Sequence, residues 1–151
     1  MANSQAMTTS FKNEILQALH NFGTTVTRAG TGADTFKGAL YYSTGSLGAG
    51  TTAYSTTDEV VGTNYSAGGV TVTNAVAPTT SGTTAYWTPS ASLVYTNVTI
   101  TTPFDSVLIY NSTQAGRAVS VHTFGSQSVT AGTFTLTMPT NAAGTALLNL
   151  A

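Results

Sequence analysis

The sequence predicts a mainly β protein, an antiparallel β-sandwich or jelly roll of about eight short strands with one N-terminal α-helix. Three observations predict it. From Thr24 onward, apolar residues recur at every second position in short runs, the period of a half-buried strand. Clusters of Gly, Ser, Asn and Pro punctuate those runs at short intervals. Thr and Ser fill about three positions in ten, with 32 Thr, whose β-branch favours extended backbone while its hydroxyl wets the outer face. At 151 residues the chain has one domain's length and can bury a sizeable core.

The first ten residues are small and polar and read as a loose or partner-bound arm. A helix is expected from Ser10, as N-cap, to about Asn21, with Gly23 as its stop. Phe11, Ile15, Leu16, Leu19 and Phe22 fall on one side of it at helical spacing. That stripe either packs on its own domain or forms a docking or trimerisation surface. Residues 1–22 are therefore the candidate docking element and 23–151 the β body, within one domain.

In the body, Phe36, Leu40 and Tyr42 share a strand face. Val70 to Thr73, then Val94, Thr96, Val98 and Ile100, then Val119 and Val121, then Phe134, Leu136 and Met138 repeat the two-residue period, with Thr133, Thr135 and Thr137 opposite the last set. Val107 to Tyr110 is continuously apolar and reads as a central strand covered on both faces. Pro78, Pro89, Pro103 and Pro139 are expected to flank strands. Gly50-Thr51-Thr52-Ala53-Tyr54 recurs as Gly82-Thr83-Thr84-Ala85-Tyr86, but without the sustained period of a repeat architecture.

Charge is the unusual feature. Only 6% of residues are charged, against about 25% in ordinary domains. None lies between Val60 and Phe104 and none after Arg117, while four lie between Lys12 and Asp34. A net charge of −1 supplies no basic footprint for nucleic acid. A hydrophobic content of 41% and mean hydropathy of +0.12 argue against disorder. No cysteine means no disulfide and no thiolate chemistry. Met1 to Ser10 lacks a basic n-region and an apolar h-region, and no apolar run spans a bilayer, so synthesis in a cytoplasm without membrane insertion is expected.

Catalytic constellations are sparse. His122 shares a strand face with Ser120 and Phe124 and could act as a base, but no G-x-S-x-G elbow accompanies it. Asp58 and Glu59, if extended, point to opposite faces, which suits solvation of both. Neither a histidine pair at helical spacing nor a calcium-loop pattern is present, so no metal, cofactor or enzymatic activity is expected, although Ca²⁺ held by loop carbonyls and one Asp would leave no signature. Asn64-Tyr65-Ser66, Asn97-Val98-Thr99 and Asn111-Ser112-Thr113 match the glycosylation pattern, as chance allows in a Thr-rich chain. Trp87 and seven Tyr could stack on sugars, or pack in the core.

A body faced with hydroxyls and few charges favours close, salt-insensitive association, and long uncharged edge strands call for cover in an oligomer. Thr9 to Leu16, Asp34 to Tyr41, Thr52 to Val60 and Tyr65 to Gly69 resemble segments of a group of small tailed-bacteriophage virion proteins. The likeness resumes at Val107 to Thr113 and Arg117 to Val121, and ends near Gly132 to Leu136. One departure is Pro103-Phe104-Asp105-Ser106, where a small basic stretch is expected. The resemblance implies a non-enzymatic virion protein, with capsid decoration (cement) the expected role. It implies a homo-oligomer, favouring a trimer, that bridges major capsid protein subunits on the particle surface and grips them through the arm and helix. Phe11, Ile15, Leu19 and Arg117 are the candidate contact residues. A tail, connector or fibre component, or a module binding host-surface glycans through Trp87, are the alternatives.

Overall fold

The computed structural model describes residues 3–16, 19–22, 33–73 and 76–150. Two antiparallel sheets and one short helix make the sandwich predicted above. The elements are β1 (Ala6–Met7), α1 (Thr9–Leu16), β2 (Phe36–Tyr42), β3 (Val70–Thr71), β4 (Thr79–Ser81), β5 (Thr84–Trp87), β6 (Leu93–Asn111), β7 (Arg117–Leu136) and β8 (Leu148–Leu150). The larger sheet has the order β1-β7-β6-β2-β3 and the smaller β4-β5-β8.

One long hairpin dominates. The segments expected as separate strands at Val94–Ile100 and Val107–Tyr110 are both parts of β6, and those at Val119–Val121 and Phe134–Met138 fall on β7, which ends at Leu136. A straight strand of 19 residues would run about 60 Å, whereas a domain of this length has a radius of gyration of about 15 Å. The hairpin therefore bends back on itself. Pairing slips between Tyr95 and Val98, Val98 and Ile100, Ile100 and Phe104, and Phe104 and Ser106, so the bulges gather where the ribbon turns over. Pro103 sits inside β6 at this bend, contrary to the flanking position expected for it. It is tolerated because three residues there, Thr101 to Pro103, oppose Ser128 alone and leave the ladder interrupted.

After the bend, Leu93 and Tyr95 lie over Gly38 of β2, where an added Cβ would run into Leu93 and crowd Val107. The Tyr95 hydroxyl donates to the Gly38 carbonyl at 2.9 Å. Phe104 meets Phe134 and Phe124 edge-on, with ring centroids 5.1 and 6.0 Å apart. The main core thus lies between the two halves of the folded ribbon and the smaller sheet, which contributes Trp87 and Leu148. A second cluster, Ala39, Tyr41, Leu108, Tyr110, Ala118 and Val121, covers the other face beneath Leu47 and Tyr54. Val107 to Tyr110 are buried and central, as the unbroken apolar run predicts. Phe36, Leu40 and Tyr42 do face one core together, and Thr133 and Thr135 are exposed opposite half-buried Phe134 and Leu136.

The N-terminal segment departs most from expectation. The helix spans Thr9–Leu16, and Thr8 rather than Ser10 caps it, its hydroxyl accepting from the Phe11 N–H at 3.3 Å. Gln17 and Ala18 lie outside the described residues, and Leu19 to Phe22 form no regular element. The expected loose arm is instead tied down from Asn3. The Asn3 amide donates to Asp105 and Ser106, each at 2.8 Å, and to the Tyr42 carbonyl at 3.0 Å. The Thr8 N–H donates to the Val119 carbonyl at 3.1 Å. Asp105 and Ser106, in the stretch that departs from the virion-protein pattern, thus hold the arm of their own chain.

Candidate functional site

Polar chemistry gathers where α1 meets the β6–β7 turn. Glu14 projects from α1 into the body and is 5% exposed. Its two carboxylate oxygens accept from Arg117 Nη1, at 2.5 Å, and from His20 Nε2, at 2.7 Å. The other ring nitrogen of His20 lies 3.1 Å from the Asn111 amide nitrogen. That amide donates to Asp34 Oδ2 at 2.8 Å, as does the Asn21 N–H. Asn111 is fully buried and its side-chain carbonyl accepts from the N–H groups of Thr113 and Gln114, the turn-making habit of Asn. Burial of His20 pushes its pKa below 6.5, with the Glu14 hydrogen bond and charge and the Asp34 charge opposing.

A second buried carboxylate sits at the opposite end of β2. Glu59 accepts from the Tyr54 hydroxyl at 2.6 Å, the Tyr65 hydroxyl at 2.8 Å and the Gly68 N–H at 2.6 Å. The expectation that Asp58 and Glu59 are both solvated is therefore corrected. Asp58 is exposed, but Glu59 is a core anchor satisfied by neutral donors. Burial first, and the Glu59 charge second, push the Tyr65 hydroxyl far above the ordinary tyrosine range. Nothing in the sequence around Glu59 announced this role, because its partners come from three separate loop positions.

His122 and Ser120 do share a face, with His122 Nε2 at 2.8 Å from the Ser120 hydroxyl. Burial alone pushes His122 down to about 4. Ser120, on the stretch of β7 paired with Met7 of β1, is 1% exposed, so its hydroxyl is out of a substrate's reach. Among the described residues, no group of three His, Asp or Glu side chains is placed to hold a metal.

The candidate contact residues separate. Phe11 is 1% exposed and packs edge-on against His20 and Phe22, so it is a core residue and not a docking one. Ile15 and Leu19 are half-buried, Ile15 lining an apolar groove of about 140 Å³ with Phe22, Tyr86, Trp87 and Leu150. Arg117, its side chain 43% exposed, spends its charge on Glu14. Trp87 is 2% exposed and its ring N–H donates to the Val76 carbonyl at 2.8 Å, which removes the exposed platform that the glycan reading needs. Asn111, in one of the three glycosylation matches, is inaccessible for the same reason.

Three of the five acidic residues, Glu14, Asp34 and Glu59, are thus inside the protein. The exposed side of the folded hairpin, including Val94, Thr96, Thr101, Thr102, Ser126, Ser128, Thr130, Thr133 and Thr135, has no charge at all. From Arg117 to Val121 the outer edge of β7 is covered by residues 52–53 and by the arm; past Val121 no strand among the described residues pairs with it, yet its bulges at Phe124–Ser126 and Thr130–Ala131 break the row of main-chain groups. Bulges therefore blunt this edge in place of lysines. No helix among the described residues is long and apolar enough to cross a membrane. No family model, curated protein or solved structure matches this chain.

Proposed function

We propose that this chain is a structural subunit of a bacteriophage particle, decorating and bracing the capsid by bridging neighbouring capsid proteins. The observation that supports the reading is the near absence of surface charge, now sharper than the sequence implied, because burial removes three of the five carboxylates from the exterior. A surface of hydroxyls and small apolar groups has little self-repulsion and can be buried without desolvating ions. Function would then reside in interface area that heat or internal pressure must break, and not in a reactive group. The contact surface would be the neutral outer face of the hairpin, since Phe11 and residues 3–8 are committed to their own body.

The test uses the purified full chain and particles from its source. Sedimentation should show association with itself or with the capsid that persists at about 1 M salt, where the screening length is only about 3 Å. Hundreds of copies per particle would fit decoration, and tens or fewer a tail or connector part. A chain that stays monomeric at high concentration and binds no particle would overturn the proposal.

A further inference from the structure

The cluster around His20 has a hydrogen-bond pattern that admits one protonation state. Nε2 lies 2.7 Å from a carboxylate oxygen of Glu14, so Nε2 carries the ring hydrogen. Nδ1 lies 3.1 Å from the Asn111 amide nitrogen, so Nδ1 must offer its lone pair. The amide cannot turn over to help. Its oxygen is held by the N–H groups of Thr113, at 3.1 Å, and Gln114, at 3.2 Å, and its nitrogen also donates to Asp34 at 2.8 Å. A proton on Nδ1 would face an N–H donor, and reversing Asn111 would set its NH₂ group against two backbone N–H donors while withdrawing one from Asp34. The neutral ring fits and the imidazolium does not.

We propose that the Glu14–His20–Asn111–Asp34 chain is a proton-operated latch, in which a second proton on His20 releases α1 and residues 19–22 from the β6–β7 turn. Among the described residues, the charged groups facing the ring are Glu14 from α1, Asp34 from the segment before β2 and Arg117 from β7. The ring also meets Phe11, Phe22 and Phe36, which are uncharged aromatics. The two carboxylates attract the proton, while burial and Arg117 repel it, and burial is the larger effect. Opening would separate Phe22 from Phe36 and Trp87, whose ring centroids lie 4.3 and 4.7 Å away, and uncover an apolar face on both sides. The latch does not depend on the capsid reading; it would operate in the isolated chain.

The experiment follows the His20 ring nitrogens by NMR and amide exchange along the full chain, from about pH 7.5 to about pH 4.5, spanning the histidine range. The ring should be the Nε2–H tautomer at the start and take up its proton below pH 6.5. With the same midpoint, amides of Thr9–Leu16 should lose protection about tenfold per pH unit, after correction for intrinsic exchange, while those of β2 stay protected. Fluorescence of Trp87, the only tryptophan, should change in step as Phe22 departs. His20→Gln has no ring to titrate, so its helix should keep its protection across the same range. A wild-type helix that stays protected around a charged ring would overturn the latch. So would a helix that opens while the ring is neutral, or a ring that gains no proton before the whole chain unfolds.

Discussion

Glu59 and Glu14 are buried almost equally, at 4% and 5% exposure, yet the protein solves the two burials in different ways. Glu59 is held by two tyrosine hydroxyls and a backbone N–H, none of which changes charge near neutral pH. Glu14 is held by a guanidinium and an imidazole, one of which can. The first arrangement is permanent and pins the loops over β2; the second joins α1 to the hairpin turn and can be undone by a proton. Burying a carboxylate costs several kcal/mol unless its oxygens are satisfied, so each site should fail when a donor is lost. Only the second contains an imidazole, the side chain whose ordinary charge change falls between about pH 5 and 8.

The Glu59 side offers the largest effect. Gly68 presents its N–H to the carboxylate from a turn in which Gly68 and Gly69 have φ values of 87° and 69°. A Cβ on Gly69 would run into the Gly38 carbonyl, backbone against backbone. Gly69→Ala is expected to cost more than about 4 kcal/mol and leave little folded protein, read by circular dichroism and melting temperature. Glu59→Ala keeps the backbone but strands three donors, and should cost about 3 kcal/mol in urea unfolding. Wild-type stability in Glu59→Ala would mean that water or a small shift satisfies those groups, and the contrast between the two sites would collapse.

The sequence carried the sheet better than it carried these anchors. Period-two runs such as Val94 to Ile100 report which face is buried, because alternation is a local property of a strand. They do not report that two runs belong to one bent strand, since the bulges around Pro103 exist only to fold the ribbon over its own core. Helix periodicity over Phe11 to Phe22 was real in its apolar content, but Phe22 reaches the core from an irregular segment, stacked on Phe36. Of the His20 cluster, Asn111-Ser112-Thr113-Gln114 could have been read as an Asn-initiated turn. Glu14, His20 and Arg117 could not have been joined, because 103 positions separate Glu14 from Arg117. Charge scarcity was legible at once; that much of the remaining acid lies inside was not.

On the Glu14 side, Arg117→Met should cost about 1–2 kcal/mol. This is less than the 3–5 kcal/mol typical of breaking a fully buried pair, because water reaches the guanidinium. Glu14→Gln with Arg117→Met should cost less than the two single changes added together, since the second change no longer strands a charge. Strict additivity in that double-mutant cycle would show that the pair contributes nothing through each other.

The smallest effect is the most diagnostic of what burial does to a lone imidazole. His122 has the Ser120 hydroxyl as its hydrogen-bond partner, and burial alone depresses its pKa from 6.5 to about 4. Between those values the unfolded chain holds a proton on this residue that the folded chain refuses. Stability is therefore fully present above pH 6.5 and lost as pH falls toward 4. From about pH 7.5 to 5.5 the loss from His122 should be about 1 kcal/mol. His20 adds a loss of the same sign, since its pKa is also lowered. Urea unfolding of His122→Gln across this range should show a shallower fall than wild type, with the His20 share remaining. An unchanged slope would mean that His122 protonates freely in the folded state, and that the space around Gln5, Val107 and Leu136 admits water to its ring.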